Sequence, residues 1–415
     1  MTMQPLSPVR LALLLPLLAI ASCENATGPA PQLESLPRPL TAAEERIVES
    51  SNGFAFDLLR QVNAGSPKEN LFISPLSVSM ALGMTMNGAA SDSYAEMREM
   101  LGFAGLSQEE INESYRALID LLLGLDPGVE MQVANSIWYR RGFPFERSFL
   151  DVVGAAFRSD VREVDFEDNH TAGRINDWVK AATRGRIPEI VGEVNSQDVM
   201  YLINAIYFKG IWVRQFEKER TLPDLFDGLE GARIPVKMMN AEGPFRYAWT
   251  PEYEVVDLPY GNGAFTMTIL LPSPGRSVDD LVATLDAPRW KVIVGALAEA
   301  SIDLSMPRFR LEYSAVLNPM LRELGMRRAF EPGAADFSRM SASAGGDLYV
   351  SEVLHKSFVE VDEQGTEAAA ATKVTIRVTS MPPAIRIDRP FLFIIRERFS
   401  GTILFQGKIV APELA

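Results

Sequence analysis

His170 and His355 are the only imidazoles in the 415-residue chain, and Cys23 is its only thiol. Hydrolytic chemistry needs a nucleophile, a base and an orienting acid held together. His170 lies among Asp168, Asn169 and Thr171, a polar setting that predicts a surface position. No G-x-S-x-G elbow, H-E-x-x-H pair, Walker loop or G-x-G-x-x-G fingerprint occurs. His, Cys and carboxylates form no cluster with metal-ligand spacing, so no metal site is expected. The inventory predicts a protein that is not an enzyme and that uses no cofactor.

His355 belongs with a second residue, Asn204. Asn204 interrupts Val199 to Phe208, a run apolar on both faces of a predicted strand. A buried amide without partners costs on the order of 1–3 kcal/mol, so a partner must exist. His355 ends the strand-like run from Leu348 to Leu354 and is the candidate. The pair reads either as a satisfied core contact or as part of a working site.

The bulk numbers exclude some function classes. With 47% hydrophobic and 23% charged residues the chain has ample material for a large core. A net charge of −14, with no basic run, argues against nucleic-acid binding.

At the amino terminus, one arginine precedes the apolar stretch Leu11 to Ile20, which is too short to span a bilayer as a mature helix. Residues 1–22 read as a signal for export. Ala19-Ile20-Ala21 fits a small-x-small cut that leaves Cys23 free in a secreted protein. Ile20-Ala21-Ser22-Cys23 also resembles a bacterial lipoprotein box, in which Cys23 carries the lipid. Lipidation accounts for a lone cysteine in an exported chain and predicts a membrane-anchored protein of the periplasm or cell surface. Residues 23–40, with Pro29, Pro31, Pro37 and Pro39, are expected to form an extended, poorly packed tether.

The remainder, residues 41–415, shows no second linker and no repeat, which predicts one domain. Its first half is rich in helix signals. Thr41 to Glu44, Ser93 to Glu96 and Ser107 to Glu110 each match a capping box, and Ser74-Pro75 opens a further helix. Another helix follows Thr171. Strands are expected at Met131–Ile137, Val199–Phe208, Phe265–Leu271, Ile302–Met306 and Leu348–Val353. Phe391–Arg396 and Thr402–Val410 form a terminal hairpin. Helices early and sheets late predict an α+β fold.

One segment mixes two propensities. Ala368 to Ala371 favour a helix, while Val374 to Thr379 favour a strand. Taken two by two, Thr366, Ala368, Ala370, Thr372, Val374, Ile376 and Val378 are small or apolar. Every charge (Glu367, Lys373, Arg377) falls in the other set, beside Ala369, Ala371, Thr375 and Thr379. A period of two is strand logic. Met381-Pro382-Pro383 nevertheless ends the segment as an exposed loop would. The segment reads as a loop written as a latent strand.

These features, with four others, resemble the serpin family. Asn70 to Ser77 is similar to the start of its second helix. Asn204 to Trp212 is similar to a strand of its large sheet. Leu354-His355-Lys356 and Val361 to Ala369 match the strand and hinge before the reactive loop, and Asp388 to Phe393 the signature after it. The resemblance covers Glu44 to Pro412. It implies three β-sheets, about nine helices and an exposed reactive-centre loop.

The resemblance also implies suicide inhibition of a serine protease, through a covalent acyl complex formed by a monomer. The hinge would be Glu363, Gly365, Thr366, Glu367 and Ala368 to Ala371, in which Gly365, Thr366 and Ala368 to Ala371 fit an inhibitory member because no charge would enter the sheet interior. Ser74, Ser77, Asn204 and His355 would form the polar shutter behind the strands that part. Trp212, Arg308 and Glu363 would form the breach where the loop enters, and an Arg308–Glu363 pair, if solvated, is worth about 0–1 kcal/mol. Loop length places the scissile bond at Thr379-Ser380, which suits an elastase-like or subtilisin-like protease. Arg377, followed by Val378, is the alternative bait for a trypsin-like one. Some serpins carry hormones or act as chaperones instead. The helix with Tyr94, Glu96, Arg98 and Glu99 lacks a basic face, so no heparin-type cofactor is expected.

Overall fold

The structure, a computed structural model, describes residues 32–195, 197–366 and 383–413. In α1 (Ala42–Gly65) the Thr41 hydroxyl accepts from the Glu44 N–H, and the Glu44 carboxylate accepts from the Thr41 N–H. β1 (Leu71–Ile73), α2 (Pro75–Gly88), α3 (Ser91–Met100) and α4 (Gln108–Gly124) follow. α2 opens on the Ser74 cap with Pro75 in its first turn, and α4 repeats the reciprocal box with Ser107 and Glu110. Strands and helices then alternate through β2 (Val129–Arg140), α5 (Arg147–Phe157), β3 (Ser159–Val164), α6 (Thr171–Ala182) and β4 (Met200–Ile211). Next come β5 (Leu222–Asp227), β6 (Arg233–Trp249), β7 (Tyr253–Tyr260), β8 (Phe265–Pro272), α7 (Val278–Thr284) and α8 (Ala287–Gly295). The chain continues through β9 (Ala298–Pro307), β10 (Phe309–Val316), α9 (Asn318–Glu323), β11 (Leu354–Val361) and β12 (Gly365–Thr366). It closes with β13 (Ala384–Arg386), β14 (Phe391–Glu397) and β15 (Ile403–Ile409).

The strands form three sheets, so the fold is α+β as expected. One has nine strands in the order β1-β15-β14-β8-β7-β6-β9-β13, with β5 also on β6. A second pairs β10 with β11, and a third runs β12-β4-β2-β3. α2 is apolar on all sides, with Met80, Leu82, Met84 and Met86 buried, and therefore runs through the interior against β4 and β15. β4 is covered on both faces, as its composition requires. Leu202, Ile206 and Phe208 face the main core. Tyr201 and Ile203 face a smaller cluster with Trp138, Ile175 and Val179 of β2 and α6.

Three local expectations fail. The Ser93 box is not a cap: α3 starts two residues earlier, and Ser93 Oγ accepts from the Asp336 N–H at 3.0 Å. Leu348–Val353 is not a strand, because its backbone bonds to the α9 region. Val350 N–H donates to Ala329, and the Val353 carbonyl accepts from Leu317 N–H, both at 2.8 Å. The end of the tether is not loose either. Leu33, Leu36 and Leu40 pack on the main core, the Leu33 N–H donates to Asn262, and Arg398 Nη2 donates to the Leu33 carbonyl.

Candidate functional site: the cleft between β4 and β11

β4 and β11 flank one cleft without pairing to each other among the described residues. Instead β12, two residues long, pairs antiparallel with the end of β4, with Gly365 opposite Ile211 and Thr366 opposite Gly210. Gly365 and Thr366, at the start of the latent segment, are thus already paired as a strand.

A tight turn delivers it. The Asp362 carboxylate accepts from the N–H groups of Gln364 and Gly365 at 2.8 and 3.1 Å, and Asp362 N–H donates back to the Gly365 carbonyl. The turn is fixed to the sheet by Trp212, whose backbone N–H donates to Gln364 and whose indole N–H donates to Asp362. Phe216 N–H donates to the Glu363 carbonyl. Glu363 is buried, its side chain 5% exposed, and Arg308 Nη1 lies 3.7 Å from its carboxylate with 30% exposure. The pair is therefore partly desolvated rather than a solvated surface contact.

Gly365 is required by this geometry. Its φ of +151° is rarely adopted by L-residues, and a Cβ there would collide with the Gly210 carbonyl oxygen. Gly210 is required in turn, since a Cβ would come within 2.7 Å of the Tyr260 ring. That ring stacks on Trp212 with centroids 4.3 Å apart, and its hydroxyl lies 3.0 Å from Thr366 Oγ1. Burial raises the Tyr260 pKa well above its usual value, which keeps the hydroxyl protonated. Thr366 is 3% exposed, with its side chain directed inward.

Below the hinge a polar row crosses behind the cleft. His355 of β11 accepts through Nε2 from the Ser74 N–H at 3.2 Å. Ser74 Oγ accepts from Ser77 N–H and donates to the Leu404 carbonyl at 2.8 Å. Ser77 Oγ donates to Asn204 Oδ1, and Asn204 Nδ2 donates to Asn135 Oδ1. Asn135 and Asn204 are opposite one another in the β2–β4 register. Asn204 is therefore satisfied by Ser77 and Asn135, not by His355, which corrects the expected pairing. Burial pushes the His355 imidazole down to about 4, so it is neutral at pH 7.

Tyr260 and Asn135 were missed as site residues. Asn135 carried a readable signal: it is the one polar residue in the core-facing set Met131, Val133, Asn135, Ile137, the same anomaly that singled out Asn204. Nothing in the sequence around Tyr260 ties it to Thr366, 106 residues away. The remaining predicted residues, Cys23, Glu367, Ala368 to Ala371, Arg377, Val378, Thr379 and Ser380, lie outside the described residues.

Known proteins resemble this chain over most of its length. The family model described as Serpin (serine protease inhibitor) matches residues 49–412. The horse leukocyte elastase inhibitor is 35% identical over 383 residues, covering 89% of this chain and 100% of the relative. The native-state crystal structure of the thermophilic serpin tengpin superposes with a TM-score of 0.81 at 32% identity, covering 92% of this chain and 97% of that one. Human thyroxine-binding globulin, complexed with thyroxine, gives 0.82 at 28% identity, covering 89% of this chain and all of that one. Serpins are mostly protease inhibitors, and this chain belongs to the serpin family.

Proposed function

We propose that this serpin is an irreversible inhibitor of a serine protease and that the segment after Thr366 is both bait and latent fourth strand. The observation that carries the reading is the pairing of Gly365 and Thr366 with β4, beside a β11 that pairs only with β10 among the described residues. The protease hydroxyl attacks the carbonyl of Thr379, an ester forms, and the Thr379-Ser380 amide bond breaks with Ser380 as the new amine. The freed loop then continues the register already begun. Thr372 comes opposite Asn204, and Ile376 opposite Met200 at the start of β4. Twelve residues at about 3.3 Å each carry the attached enzyme roughly 40 Å.

The side chains suit that path. Thr366, Ala368, Ala370 and Thr372 would face α2 and its polar row, where small groups fit, while Glu367, Lys373 and Arg377 face outward. Glu367 would come opposite Lys209, an attractive cross-strand pair. Thr379 after Val378 suits an elastase-like or subtilisin-like pocket, and Arg377 remains the trypsin-like alternative. No polysaccharide activator is proposed, because α3 carries Asp92, Glu96 and Glu99 against Arg98 alone.

We also propose export by residues 1–22 and membrane attachment through a lipid on Cys23, with plain secretion as the alternative. The intact mass of the mature protein decides, since an unmodified Cys23 ends the anchor proposal. For the inhibitory reading, the protein is incubated with elastase-, subtilisin- and trypsin-like proteases. A complex stable in SDS, with a released peptide beginning at Ser380, is expected. A peptide beginning at Val378 moves the bait to Arg377, and cleavage without complex by every class overturns inhibition.

A further inference from the structure

The lower half of the cleft holds a cavity of about 230 Å³ between α2, β4 and the segment leading into β11. It is larger than the ~150 Å³ apolar cavity known to admit benzene. Val78, Leu82, Leu202, Phe337 and Met340 form the apolar part of its wall, beside the polar side chains of Ser77, Thr85 and Asn204. Its rim is acidic. Glu193, Asp198 and Glu352 line it, and no lysine or arginine is among the lining residues. Glu193 and Glu352 are exposed, whereas Asp198 is half-buried and accepts from the Tyr201 hydroxyl at 2.5 Å. The one imidazole in the wall, His355, is already engaged with Ser74.

A partly apolar cavity lined by three carboxylates and no cationic side chain selects by charge as well as by shape. Carboxylic and phosphate ligands would meet repulsion at the rim, and a neutral apolar ligand would gain nothing from it. A cation would place its charge among the carboxylates, near water, while its hydrocarbon part lies against Val78, Leu82, Leu202, Phe337 and Met340. We propose that this cavity is a binding site for a small organic cation with an apolar body, an aralkyl- or alkylammonium ion. The occupant would stand where the fourth strand must pass, so that binding opposes loop insertion. That consequence rests on the insertion reading above, whereas the binding itself does not.

Isothermal titration of the full chain with phenethylammonium and with 3-phenylpropionate, its analogue of opposite charge, tests the site. One cation per chain is expected, with a Kd of about 0.1–1 mM for a ligand of this size and at least about tenfold weaker binding of the anion. The preference should shrink as salt is raised. Glu193→Gln with Glu352→Gln should bring the two probes to within about threefold, and Ala81→Phe should abolish binding by filling the chamber. The rim variant decides the matter if the filled one does not fold. Equal binding of both probes, no saturable binding of the cation, or a preference unchanged in the rim variant overturns the proposal. A second arm measures the yield of SDS-stable complex at saturating cation. A fall is expected, and an unchanged yield despite binding overturns the opposition to insertion. Failure to form complex even without the cation counts against the inhibitory reading and leaves the titration result standing.

Discussion

The hydroxyl of Tyr260 lies 3.0 Å from Oγ1 of Thr366, and the Tyr260 ring covers the α-carbon of Gly210 while stacking on Trp212. One buried aromatic thus joins the end of β7 to the end of β4 and to the first inserted residues of the latent strand. Only a small, uncharged residue fits at 366.

Thr366→Arg should convert the protein from an inhibitor into a substrate. A guanidinium forced into this enclosed position costs several kcal/mol. Target protease should cleave the variant at the bait bond and leave almost no SDS-stable complex. A variant that traps protease as wild type does would contradict insertion at this position.

Gly365→Ala places a methyl group against the Gly210 carbonyl and forces an unfavourable φ. Gly365 already pairs with Ile211 in the intact protein, so the strain falls on the uncleaved fold, and the expected loss of stability is about 1–2 kcal/mol. Thermal unfolding of the uncleaved variant checks this, and a melting temperature equal to that of wild type would contradict the close approach at Gly365.

His355 makes stability fall in acid. Its folded pKa of about 4 lies below the usual 6.5, so the unfolded chain binds the proton more readily. The contribution is fully present above pH 6.5 and is lost progressively as pH falls towards 4, on the order of 3 kcal/mol in all. Protonation also removes the acceptor for the Ser74 N–H. His355→Gln keeps an acceptor without the titration, so its melting temperature should change less than that of wild type between pH 7 and 4.5.

Arg398→Ala should release the amino-terminal strap. Arg398 Nη2 donates to Leu33, and Leu33 N–H donates to Asn262 in the β7–β8 turn. Loss of the partly exposed arginine bond is expected to cost about 1 kcal/mol and to speed proteolysis within residues 33–40. Unchanged protection of those residues would show that the apolar contacts of Leu33, Leu36 and Leu40 suffice.

Local signals in the sequence were legible where the chain closes its own hydrogen bonds. The Thr41 and Ser107 boxes, the Ser74 cap and the terminal hairpin involve neighbours a few residues apart or a sheet that alternation predicts. They misled where a distant partner took over. Ser93 has the box pattern, yet its hydroxyl serves Asp336. Leu348–Val353 has strand composition, yet its backbone groups go to Ala329, Leu317 and Asn318. At the site, Asn204 announced itself as a polar interruption, but its partners were set by α2 running behind the cleft, which brings Ser77, and by the β2–β4 register, which brings Asn135. The parted state of β4 and β11 has no local signature, because both strands carry the composition of paired ones.

The central claim is that the latent segment enters the sheet between β4 and β11 once its bait bond is cut. The most direct test is thermal unfolding of the purified protein before and after a single cleavage in residues 377–380. Insertion adds a strand paired on both sides, so the cleaved form should melt more than about 10 °C above the intact one. A cleaved form that melts at or below the intact temperature, as a nicked surface loop would, contradicts the account.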